Sequence, residues 1–251
     1  MRFHGQHRFY IKCLIVHKSR GMLGISWLLS PITAEETQKA MYISIEGVIG
    51  VGKTTLARLL QKSLNAELLL EVFEENPFLS KFYEDRARYA FQTQIFFLLS
   101  RYHQQNESVP PIIKSGQNLI SDYTFAKDAL FARINLEGDE LEMYHRVHDA
   151  LAEKIPLPDL IVYLRADTEV LMQRIAMRDR PYERNMQESY IQLVNDGYED
   201  FFDNFFKGVP VLRIDSGELD IVSKEEDLAF ARKEIESALA EAPRQSQLPL
   251  N

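Results

Sequence analysis

Eight consecutive residues, Gly47 to Thr54, have the types and spacing of a phosphate-binding loop. They read Gly-Val-Ile-Gly-Val-Gly-Lys-Thr, in which two glycines five positions apart precede a lysine and a hydroxyl residue. Glycine lets the backbone turn tightly and direct successive N–H groups toward phosphate oxygens. Lys53 would bring a positive charge to a phosphate, and the Thr54 hydroxyl is suited to ligate Mg²⁺. The residues expected to contact a triphosphate are Gly47, Val48, Ile49, Gly50, Val51, Gly52, Lys53, Thr54 and Thr55.

The sequence on either side of this loop predicts a strand before it and a helix after it. Residues Met41 to Glu46 form a short β-rich run, and leucines recur at helical spacing over Thr55–Leu64. A loop between a strand and a helix lies at the helix N-terminus, which attracts anions. The context therefore supports phosphate binding.

The rest of the chain alternates predicted strands and helices. Such an order is typical of an α/β fold with a five-stranded parallel sheet flanked by helices. The predicted strands are Met41–Glu46, Ala66–Val72, Gln117–Asp122, Leu160–Leu164 and Val211–Asp215. The predicted helices are Thr55–Leu64, Ala87–Gln105, Glu140–Lys154, Thr168–Arg178, Asn185–Phe206 and Lys224–Ala240.

Acidic residues stand at the ends of four predicted strands. Ligands of such sheets bind beyond the carboxyl ends of the strands, so Glu46, Glu71, Asp122 and Asp215 are candidates for the site. Glu46 adjoins the phosphate loop and fits a structural role. Asp215 precedes Ser216 and Gly217, a sequence typical of a turn.

The composition excludes several classes of protein. The chain has 251 residues, 45% of them apolar, and contains no apolar run long enough to cross a membrane. A net charge of −8 argues against binding a nucleic-acid polymer. The single cysteine, Cys13, excludes an intrachain disulfide and fits the reducing cytoplasm.

The first 40 residues differ from the remainder in charge. They contain six basic and two acidic residues, and the first acid is Glu35. Three interpretations stay open: translation from a start upstream of Met41, an organellar transit peptide, or an ordered extension. We expect a domain over residues 41–240, with a basic extension at 1–40 and a loose tail at 241–251.

Two segments resemble the deoxynucleoside kinase family, which includes deoxyadenosine, deoxyguanosine and deoxycytidine kinases. They read Glu74-Glu-Asn-Pro-Phe-Leu-Ser-Lys-Phe-Tyr-Glu-Asp85 and Tyr89-Ala-Phe-Gln-Thr-Gln-Ile-Phe-Phe-Leu-Leu-Ser-Arg101. The resemblance implies a P-loop kinase fold with an arginine-rich lid. It also implies Mg²⁺-dependent transfer of the γ-phosphoryl group of ATP to the 5′-hydroxyl of a deoxynucleoside in nucleoside salvage. Members of the family are usually homodimers.

The resemblance also assigns roles to single residues. Glu71 accepts the proton of the 5′-hydroxyl, and Asp122 joins Thr54 in supporting Mg²⁺. Gln94, Arg101 and Asp128 hold the base, while Tyr83 and Glu183 hold the sugar 3′-hydroxyl. The lid contributes Arg174, Arg178 and Arg180. The implied catalytic set is Lys53, Glu71, Arg178 and Arg180, and Arg174 and Arg178 bind the triphosphate.

The third strand departs from the family pattern. Family members carry Asp-Arg-Ser or Glu-Arg-Ser there, whereas this chain has Asp122-Tyr123-Thr124. The arginine near the 5′-hydroxyl is therefore missing. We expect Arg178 or Arg180 of the lid to take its place, or turnover to be slower.

Two other functions stay open. A nucleoside monophosphate kinase such as thymidylate kinase shares the fold class, but it needs arginine where this chain has Glu71. A non-catalytic member of the fold is the second alternative. The Arg101–Asp128 pair favours deoxyadenosine, deoxyguanosine or deoxycytidine over thymidine, and the sequence does not choose among those three.

Overall fold

The structure is a computed structural model that describes residues 10–19, 22–31, 40–184 and 186–241. Its contacts divide the chain into two compact units, Met1–Lys39 and Ala40–Asn251. Of the expected tail, residues 242–251 lie outside the described residues, and so does Asn185, the predicted start of a helix.

The first unit contains two strands that the sequence analysis did not predict. Strand β1 (Tyr10–Ser19) pairs antiparallel with β2 (Met22–Pro31) along their full lengths. Both segments are rich in isoleucine and leucine, and β-branched residues favour extended pairing. Their apolar runs lack the clear alternation that would have marked them as strands.

The second unit contains a five-stranded parallel sheet flanked by helices, which confirms the predicted fold class. The strands follow the spatial order β4-β5-β3-β6-β7. They are β3 (Tyr42–Glu46), β4 (Ala66–Leu69), β5 (Asn118–Ser121), β6 (Leu160–Arg165) and β7 (Val211–Asp215).

Eight α-helices connect and cover these strands within the described residues. They are α1 (Lys53–Ser63), α2 (Leu79–Glu84), α3 (Arg86–Lys114), α4 (Lys127–Asn135), α5 (Gly138–Ala152), α6 (Thr168–Arg178), α7 (Glu188–Asp200) and α8 (Glu225–Glu241). Short 3₁₀ turns occupy Phe73–Glu75 and Pro181–Glu183, and a π-helical turn occupies Phe201–Phe205.

The central strands are buried along nearly their whole length. All five residues of β3 are buried, and so are the first five of β6. A parallel strand covered by helices on both faces is surrounded by side chains, which explains its continuous apolar run. The rigid centre of the sheet thus carries the loop that begins at Gly47.

Two helices were not predicted, and one is longer than predicted. Helices α2 and α4 are too short to show a clear helical period. Helix α3 continues past the predicted end at Gln105 and includes Pro110 and Pro111. Val109 is fully buried in a cluster against which Ile112 and Ile113 pack. Tertiary packing therefore extends the helix by nine residues, from Gln105 to Lys114, despite the prolines.

We predict that a chain beginning at Met41 folds as stably as the full chain. The second unit has its own five-stranded sheet and its own hydrophobic core, so we expect it to fold without residues 1–40. Thermal unfolding should show a change in melting temperature below about 3 °C, which corresponds to about 1 kcal/mol for a domain of this size. A larger drop would show that the first unit stabilises the second. A chain beginning at Gly47 lacks β3 and serves as the unfolded control.

Candidate active site

One cavity of about 830 Å³ opens where the strands of the sheet end. Gly47, Glu71, Asp122 and Ser216 line it, and each follows a different strand: β3, β4, β5 and β7. This is where ligands of open parallel sheets bind. Every residue predicted for the site lines the cavity except Val48 and Asp128.

The phosphate loop has a backbone that only glycine adopts easily. Gly47 has φ +142°, and a Cβ atom there would lie 2.4 Å from the carbonyl oxygen of Leu164. Gly52 has φ +106° and directly precedes α1, whose first residue is Lys53. The loop therefore passes close to β6 and ends at a helix N-terminus, a combination that suits a bound phosphate.

Lys53 is folded back onto this loop. Its Nζ donates to the carbonyl oxygens of Gly47, at 2.7 Å, and Val48, at 3.0 Å. Burial, followed by the positive charge of Lys127, lowers the pKa of Lys53 to about 8. At pH 7 the ammonium group is still mostly protonated, and a bound phosphate would be a better partner for it than two neutral carbonyl groups.

Arg174 of α6 is fixed against the opposite side of the loop. Its guanidinium donates to the carbonyl oxygens of Val51 and Ser216, at 3.3 and 2.7 Å. Ser216 Oγ also donates to Val51 O at 3.1 Å. The predicted lid residue nearest the loop is thus held in place by the loop itself and by the turn after β7.

Asp122 joins the phosphate loop to the next part of the cavity. One carboxylate oxygen accepts from Thr54 Oγ1 at 2.5 Å, and the other accepts from the backbone N–H of Glu71 at 2.8 Å. A hydroxyl and a carboxylate oxygen are the ligand types that Mg²⁺ prefers. Within the described residues, no cluster of three or more His, Cys, Asp and Glu side chains could hold a metal. A magnesium ion at this point would therefore take its other ligands from phosphate oxygens and water.

Glu71 lies between two positively charged side chains. Arg101 of α3 donates to it through Nε, at 2.8 Å, and also through Nη2, while Lys127 Nζ of α4 donates to its other oxygen at 2.8 Å. Burial alone would raise the pKa of Glu71, but the charges of Arg101 and Lys127 lower it well below its usual range. The carboxylate is thus ionised at neutral pH and firmly oriented.

The part of the cavity next to α3 contains buried polar atoms without partners. Among the described residues, Gln94 Oε1 and Thr93 Oγ1 make no hydrogen bond, although both side chains are buried and line the cavity. Unpaired buried polar atoms are costly unless a ligand satisfies them. Arg101 lies two helical turns beyond Gln94 and faces the same cavity.

Asp128 stands behind Arg101 and does not line the cavity. It is fully buried, and one of its oxygens accepts from Arg101 Nη1, while the other has no partner in the described part of the chain. The structure therefore brings Asp128 to Arg101 as expected. Asp128 orients the guanidinium of Arg101 and does not itself line the cavity.

The lid arginines pair with Glu183. Arg178 donates to both its oxygens, at 2.7 and 2.5 Å, and an oxygen of Glu183 lies 3.8 Å from a guanidinium nitrogen of Arg180. The Arg180 guanidinium also lies 4.4 Å from the ring centre of Phe73. Among the described residues, neither arginine forms a hydrogen bond or ion pair with Glu71, because Glu183 pairs with Arg178 and lies near Arg180. The expectation that one of them replaces the missing arginine stays a prediction.

Tyr123, the residue that departs from the family pattern, points into the core. It is fully buried in a cluster with Tyr42, Val109 and other apolar residues and does not line the cavity. Its hydroxyl donates to Gln104 Oε1 at 2.5 Å. Gln104 in turn donates to the carbonyl oxygen of Leu70, directly before Glu71.

The sequence analysis missed Lys127, Thr93, Gln104 and Ser216. Lys127 precedes Asp128 at the start of a helix that was not predicted, where a lysine reads as a solvated side chain. Its proximity to Glu71 depends on the pairing of β4 with β5, which brings distant segments together. A signal did exist for Ser216, because a serine after a strand end is at the edge where ligands bind.

Glu46 is structural, as expected from its position. It is fully buried, and its oxygens accept from the Thr124 backbone N–H, the Thr124 hydroxyl and the Tyr198 hydroxyl, at 2.5, 2.8 and 3.0 Å. Asp215 likewise accepts from the backbone N–H of Gly217 at 2.9 Å in the predicted turn.

We predict that Thr124→Val destabilises the protein. Valine has a similar shape but leaves the buried Glu46 carboxylate with one hydrogen bond fewer, which typically costs about 1–3 kcal/mol. Urea unfolding should show that loss in the free energy of unfolding. Ser115→Ala, which removes the hydroxyl of an exposed serine at the end of α3, is the control and should change it by less than about 0.5 kcal/mol. Equal effects of the two substitutions would contradict a structural role for Glu46.

Comparison with known proteins agrees with this arrangement. The deoxynucleoside kinase family matches residues 43–239. The deoxyguanosine kinase of Bacillus subtilis is 35% identical over 191 residues, which cover 75% of this chain and 92% of that protein. The deoxyadenosine kinase of Dictyostelium discoideum is 32% identical over 208 residues, which cover 81% and 82% of the two chains.

Solved structures show the same fold. The deoxyadenosine kinase from M. mycoides with the products dCMP and dCDP bound has a TM-score of 0.69 and 27% identity, covering 78% of this chain and 100% of that one. The same enzyme with dATP bound has a TM-score of 0.68. The match spans nearly all of the second unit, from the strand before the phosphate loop to the last helix. This chain is therefore a kinase that belongs to the deoxynucleoside kinase family.

Proposed function

We propose that this kinase transfers the γ-phosphoryl group of ATP, in the presence of Mg²⁺, to the 5′-hydroxyl of deoxyadenosine, deoxyguanosine or deoxycytidine. One observation carries the proposal: a single cavity has the phosphate loop on one side and an oriented carboxylate, Glu71, on the other. The hydrogen bonds of Asp122 to Thr54 and Glu71 join the two sides.

The donor side holds the triphosphate through backbone and cationic groups. The N–H groups of the loop between Gly47 and Thr55 bind phosphate oxygens, and Lys53 neutralises the charge of the group being transferred. Arg174 stays fixed against the loop. Thr54 and Asp122 would hold Mg²⁺, which would supply positive charge against the negative charge that develops on the phosphate groups.

The acceptor side presents the hydroxyl to the donor. The alcohol oxygen forms a bond to the γ-phosphorus as the bond from that phosphorus to the β-phosphate oxygen breaks, and ADP leaves. Glu71 accepts the hydroxyl proton. The low pKa of Glu71 makes it a weak base, but phosphoryl transfer has a loose transition state, in which little covalent chemistry is left to the protein. Orientation of the hydroxyl is then the main contribution of Glu71.

The polar atoms beside α3 are suited to the base of the nucleoside. Gln94 offers an amide that both donates and accepts, and Arg101 offers donors held in place by Asp128. Adenine, guanine and cytosine each carry an exocyclic amino group that donates to the unpaired Gln94 oxygen. Thymine lacks that group and can meet the Gln94 oxygen only through its N3–H, so the preference against thymidine rests on the Arg101–Asp128 pair, which thymine would leave unmatched.

The lid and the sugar contacts complete the site. Tyr83 and Glu183 line the cavity together, which supports their role in holding the 3′-hydroxyl. Arg178 and Arg180 are bound to Glu183. They would turn to the γ-phosphoryl oxygens when the donor brings its negative charge.

We propose also that two copies of the chain associate. Helices α3 and α5 pack against each other and expose Leu99, Met143 and Val147, whose exposed fractions are 42, 56 and 36%. Burial of such apolar side chains in a homodimer would be favourable. Within the described residues, no helix has the length and apolarity of a membrane span. The single cysteine supports a cytoplasmic location.

A substrate panel tests the proposal. We expect the protein, with ATP and Mg²⁺, to phosphorylate at least one of deoxyadenosine, deoxyguanosine and deoxycytidine with kcat/KM at least about tenfold above thymidine, because one unpaired polar group costs about 1–3 kcal/mol. The Lys53→Ala variant is the control and should lose most of this activity.

Two results of the panel would contradict the proposal. A preference for deoxynucleoside 5′-monophosphates would identify a monophosphate kinase, and transfer to thymidine above the other three would contradict the proposed base recognition. Absence of transfer to any acceptor would favour the non-catalytic alternative.

A further inference from the structure

We infer that Lys127 is the positioning residue that fixes Glu71 for transfer, in place of the side chain that follows Asp122. The inference rests on the proposed function, because it concerns the orientation of the proposed proton acceptor. Three observations support it: Lys127 contacts Glu71, Tyr123 does not line the cavity, and Arg101 binds the other oxygen of Glu71.

Lys127 is placed so that its charge is available only to the cavity. The side chain is buried, and it lines the cavity at the first residue of α4. Its Nζ donates to Glu71 at 2.8 Å and lies 5.9 Å from the ring centres of both Tyr123 and Phe131. A buried ammonium group is costly unless it is paired, and the hydrogen-bonded partner found for it here is the Glu71 carboxylate.

The backbone before Lys127 is fixed as well. The Lys127 N–H donates to the Thr124 hydroxyl at 3.3 Å, and that hydroxyl donates to the buried Glu46. The start of α4 is therefore anchored to the strand that carries the phosphate loop. The ammonium group thus has a defined position relative to the loop as well as to Glu71.

Arg101 does not make Lys127 redundant. The Arg101 guanidinium spans Glu71 Oε1 and Asp128, whereas Lys127 binds the opposite oxygen, Oε2. One oxygen of Glu71 is thus held from the base side of the cavity and the other from α4. Removing Lys127 would release one of the two oxygens and let the carboxylate rotate. Misplacement of this kind lowers the rate more than it weakens substrate binding.

Tyr123 does not occupy the position beside Glu71, where the ammonium group of Lys127 lies. Its ring lies in the cluster formed with Leu69, Val109 and Leu119 and does not line the cavity, and its hydroxyl donates to Gln104. A charged side chain at position 123 would have to leave that apolar cluster to reach Glu71. A tyrosine at position 123 therefore belongs with a lysine at position 127: the tyrosine packs in the apolar cluster and the lysine supplies the charge beside Glu71.

The test compares Lys127→Met and Lys127→Arg with the wild-type protein. Methionine keeps the length and the apolar contacts but removes the charge, so kcat should fall about tenfold or more, while KM for the deoxynucleoside changes less. Arginine restores the charge and should recover kcat to within about threefold of wild type. Lys81→Met, which removes the charge of an exposed lysine on α2, is the matched control and should leave kcat unchanged within about twofold.

A double-mutant cycle separates positioning from a general effect on charge. If Lys127 acts through Glu71, then Lys127→Met should lower kcat by less than about twofold in a Glu71→Gln background. Full multiplication of the two effects would overturn the inference, as would a Lys127→Met variant as active as wild type. Should Lys127→Met melt well below wild type, Lys127→Ala takes its place in the cycle, because it also removes the hydrogen bond to Glu71 and leaves room for water beside the carboxylate.

Two further measurements distinguish failure of the inference about Lys127 from failure of the proposed function. Tyr123→Phe should keep kcat within about twofold, and a tenfold loss would place the tyrosine rather than Lys127 in the site. If the wild-type protein transfers phosphate to none of the deoxynucleosides, the proposed function fails and the inference fails with it. If wild type is active and only the Lys127 variants behave otherwise than expected, the inference alone is overturned.

Discussion

The arrangement of the site depends on one carboxylate, that of Asp122, which directly follows strand β5. Its two oxygens accept from the Thr54 hydroxyl on the donor side and the Glu71 N–H on the acceptor side. These hydrogen bonds fix the distance between the phosphate loop and Glu71, the proposed proton acceptor, which follow different strands. Because β3, β4 and β5 are paired within one sheet, Asp122 follows a strand that is paired with both of the strands whose ends it joins. Transfer between two bound substrates needs this fixed separation more than it needs a strong base.

The cavity is lined by several positively charged side chains, although the chain as a whole is negatively charged. The protein carries a net charge of −8, yet Lys53, Arg101, Lys127 and Arg174 all line the cavity. The repulsion of Lys127 is one reason why the pKa of Lys53 is lowered to about 8, with burial as the larger cause. The negative charges of Glu46, Glu71 and Asp122 act in the opposite direction on the pKa of Lys53. Glu71 also pairs with Arg101 and Lys127. A polyanionic donor entering the cavity would therefore meet a local positive field in an otherwise acidic protein.

The sequence predicted the parts of the site that depend on local spacing and left out those that depend on strand pairing. The phosphate loop is readable because eight adjacent residues form it. Glu71 and Asp122 are readable because they follow strands. The contact between Lys127 and Glu71 joins residues 56 positions apart, and no periodicity encodes it. For the same reason the loss of an arginine after Asp122 suggested a residue of the lid as its substitute, and the nearby Lys127 was not considered. Helix α4, which carries Lys127, has only nine residues and shows little amphipathic pattern.

We propose that donor and acceptor bind in the same cavity with their reacting ends facing each other. The most direct measurement is calorimetric titration with a bisubstrate compound, in which adenosine and the preferred deoxynucleoside are joined through their 5′ positions by a chain of phosphates. We expect that one molecule of this compound binds per chain, more tightly than either substrate, and that ATP and the deoxynucleoside each compete with it. Competition by only one of the two substrates, or two independent binding events per chain, would contradict it.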